Sequence, residues 1–161
     1  MSDDERYMEE ALAEAEAGMA EGEVPIGAIA VAGGRIVSRG HNRRRELGDI
    51  TAHAEMVCLR GLYELAEADF DLSGVTIYSS LEPCAMCSGA IIHYRIGRVV
   101  YGERDVMLGA AGSAMDMLAA AGVPVTGGVL RERSRRLLLS FFERENGAPG
   151  ARWGDIELPA A

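Results

Sequence analysis

Lysine and glutamine are both missing from these 161 residues, and all 16 basic side chains are arginine. We read that bias as genomic composition. No apolar run approaches the roughly 18 residues of a membrane span, so no membrane partner is expected. The opening Met1-Ser2-Asp3-Asp4-Glu5-Arg6 lacks the basic region and apolar stretch of a secretory signal, and a cytoplasmic location is expected. Cysteine is scarce. Two of the three cysteines form Cys84-Ala85-Met86-Cys87, which reads as a metal-ligand pair in a reducing compartment and not as a disulfide framework. Internal repeats and low-complexity tracts are absent too. What remains is a chain of ordinary hydrophobic content (48%) and charge (25%), long enough for one domain with a continuous core.

The formal charge of −9 is unevenly spread. Nine acidic residues and one basic residue fall within positions 1–23, so the remainder is close to neutral. Acidity confined to one segment does not exclude an RNA partner. Arg43-Arg44-Arg45 could track phosphates, or could be a solvated loop.

Met8, Ala11, Leu12, Ala15 and Met19 recur at helical spacing and predict an amphipathic helix over residues ~5–20, ended by Gly22 and Pro25. Ile26 to Val31 and Arg35 to Arg39 flank Gly33-Gly34 as a hairpin. Residues 41–50 read as a polar loop, with Thr51 as N-cap of a helix through about Ala66. Val75 to Tyr78 and Arg98 to Tyr101 read as strands around a helix that ends at His93. A helix near Ser113–Ala120, a strand at Val123–Thr126 and a helix from Leu130 to Glu143 follow. The alternation predicts an α/β fold, a mixed sheet with helices on both faces. Residues 1–145 form the predicted domain, and 146–161 a tail with its own aromatic, acidic and apolar residues.

His53-Ala54-Glu55 precedes Pro83-Cys84-Ala85-Met86-Cys87, and each segment opens a predicted helix. Imidazole and thiolate suit zinc. Three protein ligands, His53, Cys84 and Cys87, leave the fourth tetrahedral position to water, as catalytic zinc sites do. Cys84 and Cys87 share one side of a helix's first turn, where the dipole favours thiolate. Glu55 lies two residues after His53 and is read as reaching that water and shuttling its proton, not as a fourth ligand. The alternative is a non-catalytic zinc knuckle closed by His41, Cys58 or His93, which leaves Glu55 without a role.

H-x-E followed by P-C-x-x-C is the signature of zinc-dependent nucleobase deaminases. With Gly22 to Ala28, Gly40-His41-Asn42 and Leu81-Glu82-Pro83-Cys84, it makes the chain resemble the cytidine deaminase-like superfamily from about Met8 to Phe142. The resemblance implies a three-layer α-β-α sandwich on a five-stranded mixed sheet, a homodimer and one zinc ion per subunit. Two branches compete. Arg95 to Gly102 and Gly109 to Ser113 resemble bacterial-type tRNA adenosine deaminases. Met107, where that branch usually has lysine, and the acidic tail resemble fungal-type cytosine deaminases.

In the second branch the C-terminal segment covers the pocket, which would give Trp153, Asp155 and Ile156 contacts to the base and make Met107 an apolar lid residue. One residue separates Trp153 from Asp155 where that branch has two. Asn42 and the backbone around Ala54 and Cys84 would read the base edge. The expectation from sequence is therefore a hydrolytic deaminase of a small free nucleobase, cytosine-like. The runner-up is A-to-I editing at the tRNA anticodon wobble position, with tRNA as partner, and a non-catalytic zinc-binding subunit comes third.

Overall fold

The computed structural model describes residues 1–63 and 72–146. The elements run α1 (Asp3–Ala20), β1 (Gly27–Ala32), β2 (Arg35–His41), α2 (Arg44–Leu47), α3 (Ala54–Tyr63) and β3 (Val75–Leu81). They continue with α4 (Ala85–His93), β4 (Arg98–Glu103), α5 (Met117–Ala120), β5 (Val125–Gly127) and α6 (Arg131–Asn146). The five strands lie in the order β2-β1-β3-β4-β5. β1 is antiparallel to both neighbours, while β3, β4 and β5 are parallel. The mixed sheet expected from sequence is present.

Side chains alternate across a strand, so β1 feeds two cores at once. Ile29 and Val31 join Tyr7, Met8 and Leu12 of α1 on one face, with Tyr78 and Val100. Ala28 and Ala30 face Cys58, Leu59 and Leu62 of α3 and Ile91 of α4 on the other. This is the three-layer sandwich. Gly27 lets α1 approach closely, since a Cβ there would sit 2.1 Å from the Ala11 carbonyl. Asp4 ties α1 to the sheet: both carboxylate oxygens accept from Arg98 at 2.8 Å, and Oδ1 also accepts from the Tyr78 hydroxyl.

Boundaries shift where polar side chains decide. Ser2 and Glu5 form a capping box, so α1 begins at Asp3 and not near residue 5. The predicted 41–50 loop contains the single turn α2, stopped by Gly48 at φ 59°. Thr51 is not an N-cap, because its amide and hydroxyl both donate to Asp49 Oδ1. His53 takes that place, its carbonyl accepting from the Val57 amide at 2.9 Å. Ser113 opens no helix either. It is bonded to Glu82, and α5 starts later, after Asp116 accepts from the Ala119 amide.

Candidate active site

Two helix starts converge beside the carboxyl end of β3, where open α/β sheets commonly hold ligands. His53 directly precedes α3, and Cys84 is the N-cap of α4 with Cys87 in its first turn. His53 Nδ1 lies 3.7 Å from Cys84 Sγ and 3.6 Å from Cys87 Sγ. A tetrahedral zinc with bonds of about 2.3 Å to sulfur and 2.0–2.1 Å to nitrogen sets N and S about 3.6 Å apart. The donor set and its spacing fit zinc. Among the described residues no fourth histidine, cysteine or carboxylate joins this cluster. Of the three residues considered for a fourth ligand, His41 is turned to Glu14 and Glu21, Cys58 is buried in α3, and His93 ends α4.

Ligands must be deprotonated to bind metal, and of the three only Cys84 is shifted toward that form. A hydrogen bond from Cys87 holds the Cys84 thiol down at about 4. Cys87 is pushed up, first by Cys84 beside it and then by burial. The hydrogen bond with Cys84 also raises His53. Glu55 is buried, and desolvation pushes its carboxyl up. Its Oε1 accepts from the Ser79 hydroxyl at 3.1 Å, and Oε2 faces the Cys87 thiol at 3.5 Å. Once Cys87 gives its proton up to bind metal, Oε2 is the oxygen left open.

These groups line a cavity of about 310 Å³. Val24, Ile26, Leu81, Leu108 and Phe142 form its apolar walls, and Asn42, His53, Glu55 and Cys84 its polar ones. Asn42 is buried with its backbone amide donating to the Ile26 carbonyl, while its side-chain Oδ1 has no partner among the described residues. A buried, unpaired carboxamide oxygen is costly unless a ligand uses it.

The loop after β4 closes the cavity, and Glu82 holds it. This buried carboxylate accepts from the amides of Asp105, Ala111 and Ser113 and from the Ser113 hydroxyl. Gly109 is required there, since a Cβ would lie 2.4 Å from both the Asp105 carbonyl and Glu82 Cδ. Asp105 Oδ1 in turn accepts from the amides of Met107 and Leu108.

Some expectations need correction. Met107 is 56% exposed and does not line the cavity. The Asp105 turn presents Leu108 instead. Ala54 is fully buried in the first turn of α3 and forms none of the cavity wall. Trp153, Asp155 and Ile156 lie outside the described residues. Sequence reasoning passed over Leu108, Phe142 and Glu82. The Glu82 signal was there, in a carboxylate between a β-prone run and the Pro-Cys pair.

Residues 1–103 match the cytidine and deoxycytidylate deaminase zinc-binding region. The tRNA-specific adenosine deaminase of Bacillus subtilis (strain 168) is 40% identical over 146 residues, covering 88% of this chain and 90% of that one. Its counterpart in Agrobacterium fabrum is 38% identical over 149 residues, covering 90% and 97%. A structure from work on A-to-I editing by tRNA:A34 deaminases at the wobble position superposes with a TM-score of 0.76 at 38% identity, covering 83% of this chain and 99% of that one. These relatives overturn the first choice made from sequence. Near full-length similarity runs to deaminases named for tRNA, so a small free nucleobase is withdrawn as substrate and partner. No helix among the described residues is long and apolar enough to cross a membrane. The zinc-binding region, the sheet order and relatives aligned over about nine tenths of their length place the chain in the cytidine deaminase-like superfamily, as a zinc-dependent hydrolase of C–N bonds.

Proposed function

We propose that this chain deaminates adenosine to inosine at the wobble position of tRNA, and works in the cytoplasm. The observation that carries this reading is similarity to tRNA-specific adenosine deaminases over nine tenths of their length. The site supports it, with one cavity lined by a base-edge acceptor, a proton carrier and two of the metal ligands, His53 and Cys84, the third lying behind them.

Zinc supplies the electrophilic activation of water on which hydrolytic deamination depends. His53, Cys84 and Cys87 would hold it. Asn42 Oδ1 orients the base by accepting from one of its N–H groups. Glu55 takes a proton from water at Oε2 and delivers it to the ring nitrogen beside the amine-bearing carbon. It then protonates the leaving amine, so water and adenosine give inosine and ammonia. Burial suits Glu55 to this work, because a carboxyl pushed up toward neutrality can both accept and return a proton. Ser79 fixes the other oxygen, so the carboxylate cannot rotate away. Leu81, Leu108 and Phe142 exclude bulk water from the base.

The test is nucleoside analysis of a tRNA with adenosine at the wobble position after incubation with zinc-loaded protein. Inosine at that position is expected. Its absence, with zinc bound and the protein folded, would overturn the reading.

A further inference from the structure

Three segments distant in sequence each give the catalytic cavity a wall residue: Val24 from the α1–β1 loop, Arg44 from α2 and Phe142 from α6. One side chain touches all three segments. Arg45, on α2, donates from Nη1 to the Gly22 carbonyl at 2.9 Å and from Nη2 to Glu145 at 3.2 Å. Its guanidinium also lies over the Phe141 ring, 5.6 Å from the centroid.

The neighbouring Arg43 is used differently. Both its hydrogen bonds go to Glu46, three residues along the same segment. The bonds of Arg45 instead cross 23 and 100 residues of chain. A planar guanidinium fork suits that work, since it can donate in two directions and still lay one face on a ring.

The Gly22 carbonyl is a backbone anchor, and α6 is the element held against it. The start of α6 is tied to α1 through Arg133, which pairs with Glu9 and Glu16. Further along, polar ties come from Arg45 and from Arg144, whose partner on α1 is the Met19 sulfur, a weak acceptor. Phe141 is buried under Arg45 and meets Phe142 edge-on, with ring centroids 5.3 Å apart. Where Arg45 holds Phe141 and Glu145, the Phe142 ring of the cavity wall is held too.

We infer that Arg45 is a positioning residue for the proposed reaction: by bracing α6 against the α1–β1 loop it fixes Phe142 beside the target base, and it meets no phosphate itself. The inference rests on the tRNA reading above. A basic run near a nucleic-acid site suggests phosphate binding, but Gly22 and Glu145 occupy the donors that a phosphate would need. Glu145 thereby acquires a role opposite to its charge. A carboxylate close to RNA repels it, yet loss of this one frees the brace.

The experiment measures inosine formation by the zinc-loaded full-length chain on an anticodon stem-loop RNA over a range of salt. Arg45→Ala is expected to raise KM about fivefold with kcat within about twofold, as the loss of one hydrogen bond and one exposed ion pair would. The slope of log(kcat/KM) against log salt should change by well under the roughly 0.7 that one single-strand phosphate contributes. Arg45→Lys keeps the charge without the fork, and its KM should stay high.

Glu145→Ala should also raise KM, by about threefold, although it removes a negative charge. The two losses should not add, and Arg45→Ala should cost less than about twofold when Phe142 is already alanine. A brace that served folding alone would lower kcat through an inactive fraction and leave KM unchanged, and that result overturns the inference. So does a slope shallower by about 0.7 that Arg45→Lys restores, or a KM lowered by Glu145→Ala. Each of these leaves the tRNA reading standing. No inosine in any RNA from the unmodified protein removes that reading, and the inference falls with it.

Discussion

The floor of the catalytic cavity and its rim are held in different ways. At the floor, His53, Cys84, Cys87 and Glu55 come from helix starts on either side of a buried strand, and each is fixed by several neighbours. At the rim, Arg44 and Leu108 stand on short exposed segments, a single helical turn and a loop tied down through Glu82. On the proposed reading the floor carries the reaction and the rim meets the substrate: loss of the Glu55 carboxylate is expected to stop deamination, whereas exchanges at the rim are expected to alter affinity.

Substitutions can break that contrast. The largest effect is expected for Glu55→Gln, with turnover down about a thousandfold while zinc stays bound by metal analysis. Full turnover in that variant would remove the proton carrier from the account.

Glu82→Ala comes next, because it strands three backbone amides, those of Asp105 and Ala111 in buried bonds. Urea unfolding should show a loss of about 3 kcal/mol, and KM for RNA should rise with the loosened rim. Unchanged stability would mean that Glu82 does not anchor the loop.

Leu108→Ala should raise KM a few-fold at constant kcat, and Met107→Ala should do nothing. The reverse ranking would restore Met107 to the cavity wall.

The smallest effect lies far from both regions. Asp4→Asn should cost roughly 1 kcal/mol, as expected of a partly exposed ion pair with good geometry. The Arg98 guanidinium holds the Asp4 carboxyl below its ordinary 3.8. Its stabilising contribution is therefore complete above that value and lost as pH falls through the lower, folded value. The two proteins should converge in stability in strong acid and differ by a constant amount above pH 5. A difference that grows as pH falls would contradict the sign.

The floor was legible in the sequence because its chemistry needs particular residue types at particular spacings. His-x-Glu and Cys-x-x-Cys name candidate ligands and a candidate acid, and the structure brings the three ligands to one point with Glu55 against Cys87. The sandwich was legible from periodicity, Met8 to Met19 in α1 and the short apolar runs of the strands. Thr51 misled because two residues upstream stood an aspartate that took both its donors.

The rim was not legible. Whether Met107 or Leu108 faces the base depends on a turn capped by Asp105, and neighbouring apolar residues look alike in sequence. Three adjacent arginines likewise read as one feature. Only geometry shows that two are spent on the protein and one is left over. Weighing Met107 and the tail as substrate contacts is what carried the sequence reading to a free base, whereas near full-length relatives favour tRNA.

The most direct measurement compares initial rates of one zinc-loaded preparation on an anticodon stem-loop carrying a wobble adenosine and on free cytosine. The account predicts inosine in the RNA and no ammonia from cytosine at the same enzyme concentration. Ammonia from cytosine, with the RNA adenosine untouched, would contradict it.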